Sequence, residues 1–224
     1  MNTPPIGNIV KHEETGTLTR EAITWLQKKS FDYVRLMHYY KCAMMEIETK
    51  LNVLNEEYSI VLDRNPINNI KSRLKRPDSI REKLERYGLS YDIRSIEQNV
   101  LDVAGVRVIC MFKSDVYAVA DSLLRQNDVT LIKKKDYISD PKPNGYRSLH
   151  LIVSIPIFLT NEKKDMAVEI QLRTVAMDCW ASLEHQLRYK KENRFTEEME
   201  RELYLCAQMS ADLDQRMDDL KMLV

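Results

Sequence analysis

The stretch MAVEIQLRT, residues 166–174, decides how the chain is read, because its polar and apolar side chains alternate with the period of a strand. Glu169, Gln171 and Arg173 fall on one face, and Ile170 and Leu172 on the other. A strand with an apolar side and an acid, an amide and a base on its other side can cover a core and present chemistry at once. Working outward, SLHLIVSIPIF (148–158) is an equally strong β signal. AGVRVICMF (104–112) alternates with Val106, Val108 and Cys110 on one face, and VTLIKKKDYI (129–138) is a weaker strand. A helix near Asp115–Arg125 separates the first two strands in chain order.

Helices flank this central set. From about Thr19 to Leu62, the residues Tyr33, Met37, Tyr40, Met44, Ile47, Leu51, Leu54 and Tyr58 recur at helical spacing, predicting a long amphipathic helix with room for one break. Arg64-Asn65-Pro66 ends it. Pro77 and Asp78 start another helix, Gly88 closes it, and a short helix falls near Asp92–Asn99. After Thr174 a helix runs to about Tyr189, with Ala176, Trp180, Leu183 and Leu187 expected in the core. Thr196 caps a last helix, with Glu197 and Glu198 in its first turn and Met199, Leu203, Cys206, Leu213, Met217 and Leu220 at near-heptad spacing. Both terminal stripes are expected to pack mainly within the chain, and their length and methionine content also suit an oligomer. The fold class is α+β: a small mixed sheet between long N- and C-terminal helices. Residues 1–17 read as a flexible tail, 18–63 as an N-terminal helical region, 64–193 as the domain that carries the sheet and 194–224 as a C-terminal helix.

Composition narrows the function. The chain has 34 basic and 34 acidic side chains, so it lacks the basic excess of a dedicated nucleic-acid binder, and nucleic acid is not expected as a partner. MNTPPIGNIV has no charged n-region, and no run approaches a membrane span, so a secretory signal and a membrane are not expected. Cys42, Cys110, Cys179 and Cys206 form no CxxC pair and suit free thiols in a reducing cytosol; the expected location is cytoplasmic. The closest of the 5 glycines, Gly7 and Gly16, are nine residues apart, which excludes both a P-loop and a dinucleotide fingerprint. Any phosphate must therefore be held by side chains.

Those side chains are present. Asp102 stands just before AGVRV, at a helix-to-strand junction. A carboxylate there, paired with Glu169 on a neighbouring strand, is how a small sheet grips Mg2+ against a triphosphate. KSRLKRPDSIREK supplies Arg73, Lys75, Arg76, Arg81 and Lys83; Lys75, Ser79 and Lys83 line one helical face if the helix reaches back that far. In PKPNGYRSLHLIV (141–153), two prolines stiffen a loop and Asn144-Gly145 permits positive φ, presenting Tyr146 for stacking with Lys142 near phosphate. Tyr146, Ser148 and His150 point one way, Arg147, Leu149 and Leu151 the other. Taken singly, each feature has an ordinary structural explanation: a solvated sheet face, a core histidine, an exposed charged helix. Their combination favours a nucleotide site.

LDVAGVRVIC, KKKDYI, PKPNGYRSLHL, VEIQLRTVAMDCWASLEHQLRYK and KSRLKRPDSI, in their observed order, resemble the RelA/SpoT-type (p)ppGpp synthetase domain over roughly residues 55–192. The short length resembles a stand-alone small alarmone synthetase. The resemblance implies a nucleotidyltransferase-like sheet that moves pyrophosphate from ATP to the ribose 3′-hydroxyl of GDP or GTP. It implies that Arg73 and Arg107 sandwich adenine, that Lys75, Ser79 and Lys83 hold ATP phosphates, and that Asp102 and Glu169 bind Mg2+, with Glu169 also a candidate base. Tyr146 would stack on guanine, and Lys135, Lys142 and His150 would face the acceptor's phosphates. Gln171, grouped with the ATP side, Asp178, Glu184 and His185, grouped with the acceptor side, and Arg173 complete the matching motif. Relatives of this size are homotetramers. The chain contains no His-Asp dipeptide, so hydrolase activity is not expected. The competing readings are another nucleotidyltransferase-fold enzyme, acting on RNA or a small molecule, and a non-enzymatic RNA-binding or scaffold module.

Overall fold

The computed structural model describes residues 20–188 and 195–223. The expected tail 1–17 and the boundary at 193–194 lie outside them. Helix α1 (Arg20–Val61) runs unbroken for 42 residues. It is followed by β1 (Ile67–Leu74), α2 (Pro77–Arg86), α3 (Ile93–Asn99), β2 (Ala104–Cys110), α4 (Lys113–Leu124), β3 (Thr130–Asp136), β4 (Leu149–Phe158), β5 (Lys163–Thr174), α5 (Val175–Arg188) and α6 (Glu197–Lys221). The strands form one sheet in the order β1-β2-β5-β4-β3. Only β2 and β5 run parallel; every other pair is antiparallel. This is the expected mixed sheet between long helices.

One face of the sheet is buried under α1 and α4. Tyr40, Ile47 and Leu51 of α1 meet Val106, Val108, Leu149, Leu151, Ile170 and Leu172 in a single core. Thus the α1 periodicity and the strand alternation both report burial, and they leave the opposite face of β2, β4 and β5 free for polar side chains. The parallel register sets Gly105 of β2 beside Glu169 of β5, and Arg107 beside Gln171.

Four expectations change. Strand β1 was not anticipated, because it is a sheet edge with burial only at Ile67, so its INNIKSRL shows no apolar face. Pairing with β2, not propensity, makes it a strand. Helix α2 does not reach back to Lys75: Arg76 is extended (φ −65°, ψ 147°), as the residue before a proline tends to be, and Pro77 opens the helix. Leu183 and Leu187 of α5 are 59% and 44% exposed instead of in the core. On α6 the expected stripe is also outward, with Leu213, Met217 and Leu220 exposed; the inward face is carried by Ala207 and Asp214. Thr196 does cap α6, accepting from Met199 N–H at 3.2 Å. All four cysteines are free.

Helix α6 is fastened at its C-terminal end by charge. Asp115, 2% exposed, receives Arg64 through both guanidinium nitrogens at 2.8 and 2.7 Å, and Lys221 Nζ at 2.8 Å. Both cations also flank the Phe112 ring, at 5.4 and 5.3 Å. Burial by itself pushes the Asp115 carboxyl up, but Arg64 and Lys221 outweigh it and hold it below the usual carboxylate range. A folded-state value below that of the unfolded chain stabilises the fold above the unfolded value of about 3.9, and this is lost as pH falls through the folded value. In urea titrations, the stability gap between the native protein and Asp115→Asn is therefore expected to be wide at neutral pH and to narrow below about pH 4. A gap of constant width would show that Asp115 acts by packing alone.

Candidate active site

A cleft of about 390 Å³ opens on the polar face of the sheet, between Lys71 and Arg73 of β1, Asp102, Arg107 of β2, and Glu169 and Gln171 of β5. Asp102 lies in the turn between α3 and β2, two residues before the strand that pairs with β5. The two carboxylates anticipated from sequence therefore line the same cleft. Gly105 stands in register between Arg73 and Glu169, so no side chain fills the floor there.

Lysines crowd Asp102. Lys75 Nζ donates to Oδ2 at 2.9 Å, and Lys83 Nζ lies 2.9 Å from Oδ1. Each ammonium group thus pairs with one oxygen of the same carboxylate. Although α2 stops short of Lys75, the extended link and the helix bring both ammonium groups to one carboxylate. Ser79 is half-buried on α2, one turn before Lys83. Burial raises the Asp102 carboxyl, but Lys83 and Lys75 outweigh it and hold it below its ordinary value.

Glu169 belongs to a closed circuit of side chains. Gln171 Nε2 donates to Glu169 Oε2 at 3.0 Å, and Arg173 donates to Gln171 Oε1 at 3.2 Å. Arg173 also donates to the Tyr146 hydroxyl at 2.5 Å, that hydroxyl meets His150 Nε2 at 2.9 Å, and His150 Nδ1 lies 3.3 Å from Glu169 Oε1. The ionised Glu169 carboxylate can only accept, so His150 donates to it from Nδ1, and the Tyr146 hydroxyl, accepting from Arg173, shares a hydrogen bond with Nε2. Burial raises the Glu169 carboxyl, but the His150 and Gln171 contacts outweigh it, so it stays ionised and lies below its ordinary value despite repulsion from Asp102.

Arg173 extends the circuit. Its second nitrogen and that of Arg107 each lie 3.3 Å from Asp178 Oδ1, in the first turn of α5. Arg107 is thus tethered at the end of the cleft, and burial and the nearby Arg173 lower its affinity for its proton. Tyr137 packs edge-on against Tyr146 and His150, and Lys142 Nζ sits 4.7 Å from the Tyr146 ring centre and 4.8 Å from that of Tyr137. Lys135 is exposed on β3, in register with His150.

Of the residues anticipated from sequence, Arg73, Lys75, Asp102, Arg107, Glu169 and Gln171 line the cleft. Lys83 reaches Asp102, and Lys142, Tyr146, His150, Arg173 and Asp178 join the circuit or its border. Glu184 and His185 lie nearly two turns beyond Asp178, outside the circuit, and Glu184 pairs with Arg188 at 2.6 Å. Lys71, Ser72 and Tyr137 were missed. Lys71 shares parity with Arg73, a signal that becomes readable only once β1 is known to be a strand.

The carboxylate pair suits a hard divalent cation. Both donors are ionised carboxylates lining one cleft, the hard oxygen ligands that such an ion prefers. Among the described residues no group of three metal-ligating side chains occurs, so such an ion would complete its shell with phosphate oxygens and water.

The sequence pattern "Region found in RelA / SpoT proteins" matches residues 72–194, which includes the whole carboxylate pair and circuit. The chain belongs to the RelA/SpoT family. Among its relatives, the GTP pyrophosphokinase YwaC of Bacillus subtilis is 42% identical over 190 residues, 85% of this chain and 90% of that protein. The crystal structure of small alarmone synthetase 2 from Bacillus subtilis superposes with a TM-score of 0.78 at 42% identity, covering 86% of this chain and all of that one. Small alarmone synthetase 1 from the same organism, bound to its product pppGpp, superposes with a TM-score of 0.77 at 33% identity, covering 86% and 98%. The RelA/SpoT fold expected from the sequence is thus the fold found.

Proposed function

We propose that this protein is a small alarmone synthetase, a GTP pyrophosphokinase that transfers pyrophosphate from ATP to the 3′-hydroxyl of GDP or GTP and releases AMP. The observation that carries the reading is the pairing of Asp102 and Glu169 across one cleft, within a chain matching GTP pyrophosphokinases along most of its length. No helix among the described residues is long and apolar enough to cross a membrane. A cytoplasmic enzyme, with residues 64–193 as its catalytic domain, suits that and the free thiols. The exposed Leu183, Leu187, Leu205, Met209 and Leu213 on α5 and α6 support self-association, with a homotetramer as the proposed state.

ATP takes the cleft of β1, β2 and β5. Arg73 and Arg107 cover the adenine with flat guanidinium planes, which stack while staying charged. Lys75, Ser79 and Lys83 hold the phosphates. The acceptor takes the side of Tyr146, His150, Lys135, Lys142 and Asp178, with Tyr146 against guanine. Asp102 and Glu169 would hold Mg2+, which when bound supplies charge neutralisation between the two polyanions. Catalysis is mostly alignment and charge compensation, as in other phosphoryl transfers. The 3′-oxygen attacks the β-phosphorus, the bond to the α–β bridging oxygen breaks, AMP carries that oxygen away, and the hydroxyl proton passes to Glu169. His150 and Gln171 hold Glu169 ionised and aimed while this happens.

Incubation of the full chain with Mg2+, ATP and GDP or GTP, followed by ion-exchange separation, is expected to yield AMP and a 3′-pyrophosphorylated acceptor in equal amounts. Release of inorganic pyrophosphate with a nucleotidyl-modified product would instead assign ordinary nucleotidyl transfer. The same assay tests acceptor choice. Asp178→Asn exchanges a charged two-oxygen acceptor for one oxygen facing guanine, and Lys135→Ala removes a cation near the longer phosphate chain. Both are expected to shift the GDP-to-GTP turnover ratio; an unmoved ratio removes both residues from acceptor selection.

A further inference from the structure

Asp214 is a buried carboxylate that the transfer reaction does not use. It lies on α6, beyond the end of the family match at residue 194, and is 5% exposed. Its Oδ2 accepts from Thr174 Oγ1 at 2.8 Å and faces the Arg147 guanidinium at 3.6 Å. The Thr174 hydroxyl oxygen in turn accepts from Met177 N–H at 3.1 Å, closing the first turn of α5.

Each of these three residues precedes or follows a residue of the acceptor side. Arg147 follows Tyr146, Thr174 follows Arg173, and Met177 precedes Asp178. Tyr146, Arg173 and Asp178 are themselves joined, Arg173 donating to the Tyr146 hydroxyl at 2.5 Å and to Asp178 at 3.3 Å. One carboxylate therefore ties together the backbone segments that carry all three. The same helix supports the loop directly: Gly145 packs on Ala207 so closely that a Cβ at Gly145 would lie 2.4 Å from the Ala207 Cβ. Trp180 Nε1 donates to Leu203 O at 2.9 Å, and Ser114 hydrogen-bonds Asp218, so α6 is seated on both sides of Asp214.

We propose that Asp214 is a positioning residue for the acceptor subsite, holding Tyr146, Arg173 and Asp178 in register from a helix outside the matched catalytic region. This rests on the synthetase reading above. A buried ion pair is a costly way to fasten a helix, since apolar residues of equal volume do so at no loss. What the carboxylate adds is direction: a hydroxyl donor from one segment and a guanidinium charge from another meet at one oxygen. Among the described residues the donor cleft is linked to this tie only indirectly, through Arg107 and its shared contact with Asp178, so the larger effect falls on the acceptor.

The test measures kcat and both KM values by AMP formation with the full chain and its Asp214→Asn variant. The KM for GDP is expected to rise about ten-fold, while the KM for ATP and kcat at saturation stay within about two-fold. The charge-balanced double variant Arg147→Met/Asp214→Asn is expected to keep the raised GDP constant, because the tie and not the net charge is what positions the loop. If Asp214→Asn does not fold, the nearly isosteric Thr174→Val carries the same test. A GDP constant that does not move, or ATP and GDP constants that rise together, would overturn the proposal. Absence of AMP formation by the native chain would instead overturn the synthetase reading itself.

Discussion

Glu169→Gln is expected to lower kcat for AMP formation about 10³-fold, the scale of a lost general base, with little change in fold. The substitution keeps the shape but only one acceptor oxygen, so the amide can accept from His150 or from Gln171, whose contacts at 3.3 and 3.0 Å reach the two different oxygens of the native carboxylate, and not from both. What it removes is the charge. The native carboxyl lies below its ordinary value because those two contacts outweigh its burial, so it is ionised throughout the working range. It also loses one of the two oxygen donors for the cation. Thermal unfolding should move by no more than a few degrees, about the effect of 1 kcal/mol or less. Rapid AMP formation by a folded Glu169→Gln protein would remove Glu169 from the chemistry and leave it a neighbour of the circuit only.

Gly145→Ala is expected to damage the protein without touching a single polar contact. Gly145 has φ of +86°, where a β-carbon is strained, and the new carbon would lie 2.4 Å from the Ala207 Cβ and 3.4 Å from the Tyr204 ring. Ala207 is on a helix and cannot swing aside, so the loop or α6 must move. Either movement displaces Tyr146. Unfolding free energy is expected to fall by about 2–3 kcal/mol, the range for strain combined with overpacking. Gly88→Ala is the control: its φ is +64° and nothing lies within 4 Å, so only the conformational cost of about 1 kcal/mol remains. Adding Ala207→Gly to Gly145→Ala relieves the collision and, measured against Ala207→Gly alone, which carries the helix cost of glycine of about 1 kcal/mol, is expected to reduce the Gly145→Ala penalty to that of Gly88→Ala. A Gly145→Ala protein as stable as Gly88→Ala would mean that the loop and α6 do not bear on each other in solution.

The strands and helices with a buried face were readable because burial imposes a period. The alternation in 148–158 and 166–174 and the α1 stripe each gave the right element and the right inward face. Asp102 and Glu169 were legible for a related reason: a carboxylate at a strand entry and another on a polar strand face are conspicuous where propensity favours neither. Elements lacking a buried face left no such trace. INNIKSRL is a strand because β2 offers it hydrogen bonds, and its Lys71 joins the cleft only through that pairing. The α6 stripe misled for the opposite reason, since periodic apolar residues report an amphipathic helix and not which side meets this chain.

The amino-acid sequence by itself determined the helices and strands with apolar periodicity, the exclusion of a glycine phosphate cradle, and the stock of carboxylates and cations from which a nucleotide site is built. These follow from local geometry and composition alone. Tertiary structure decided the rest: which lysines meet at Asp102, the closed path from Glu169 through Gln171, Arg173, Tyr146 and His150, and the tie from Asp214 to Arg147 and Thr174. Those contacts join residues up to 67 positions apart, as Arg147 and Asp214 are, and strand register and helix packing fix them in ways that no local period encodes.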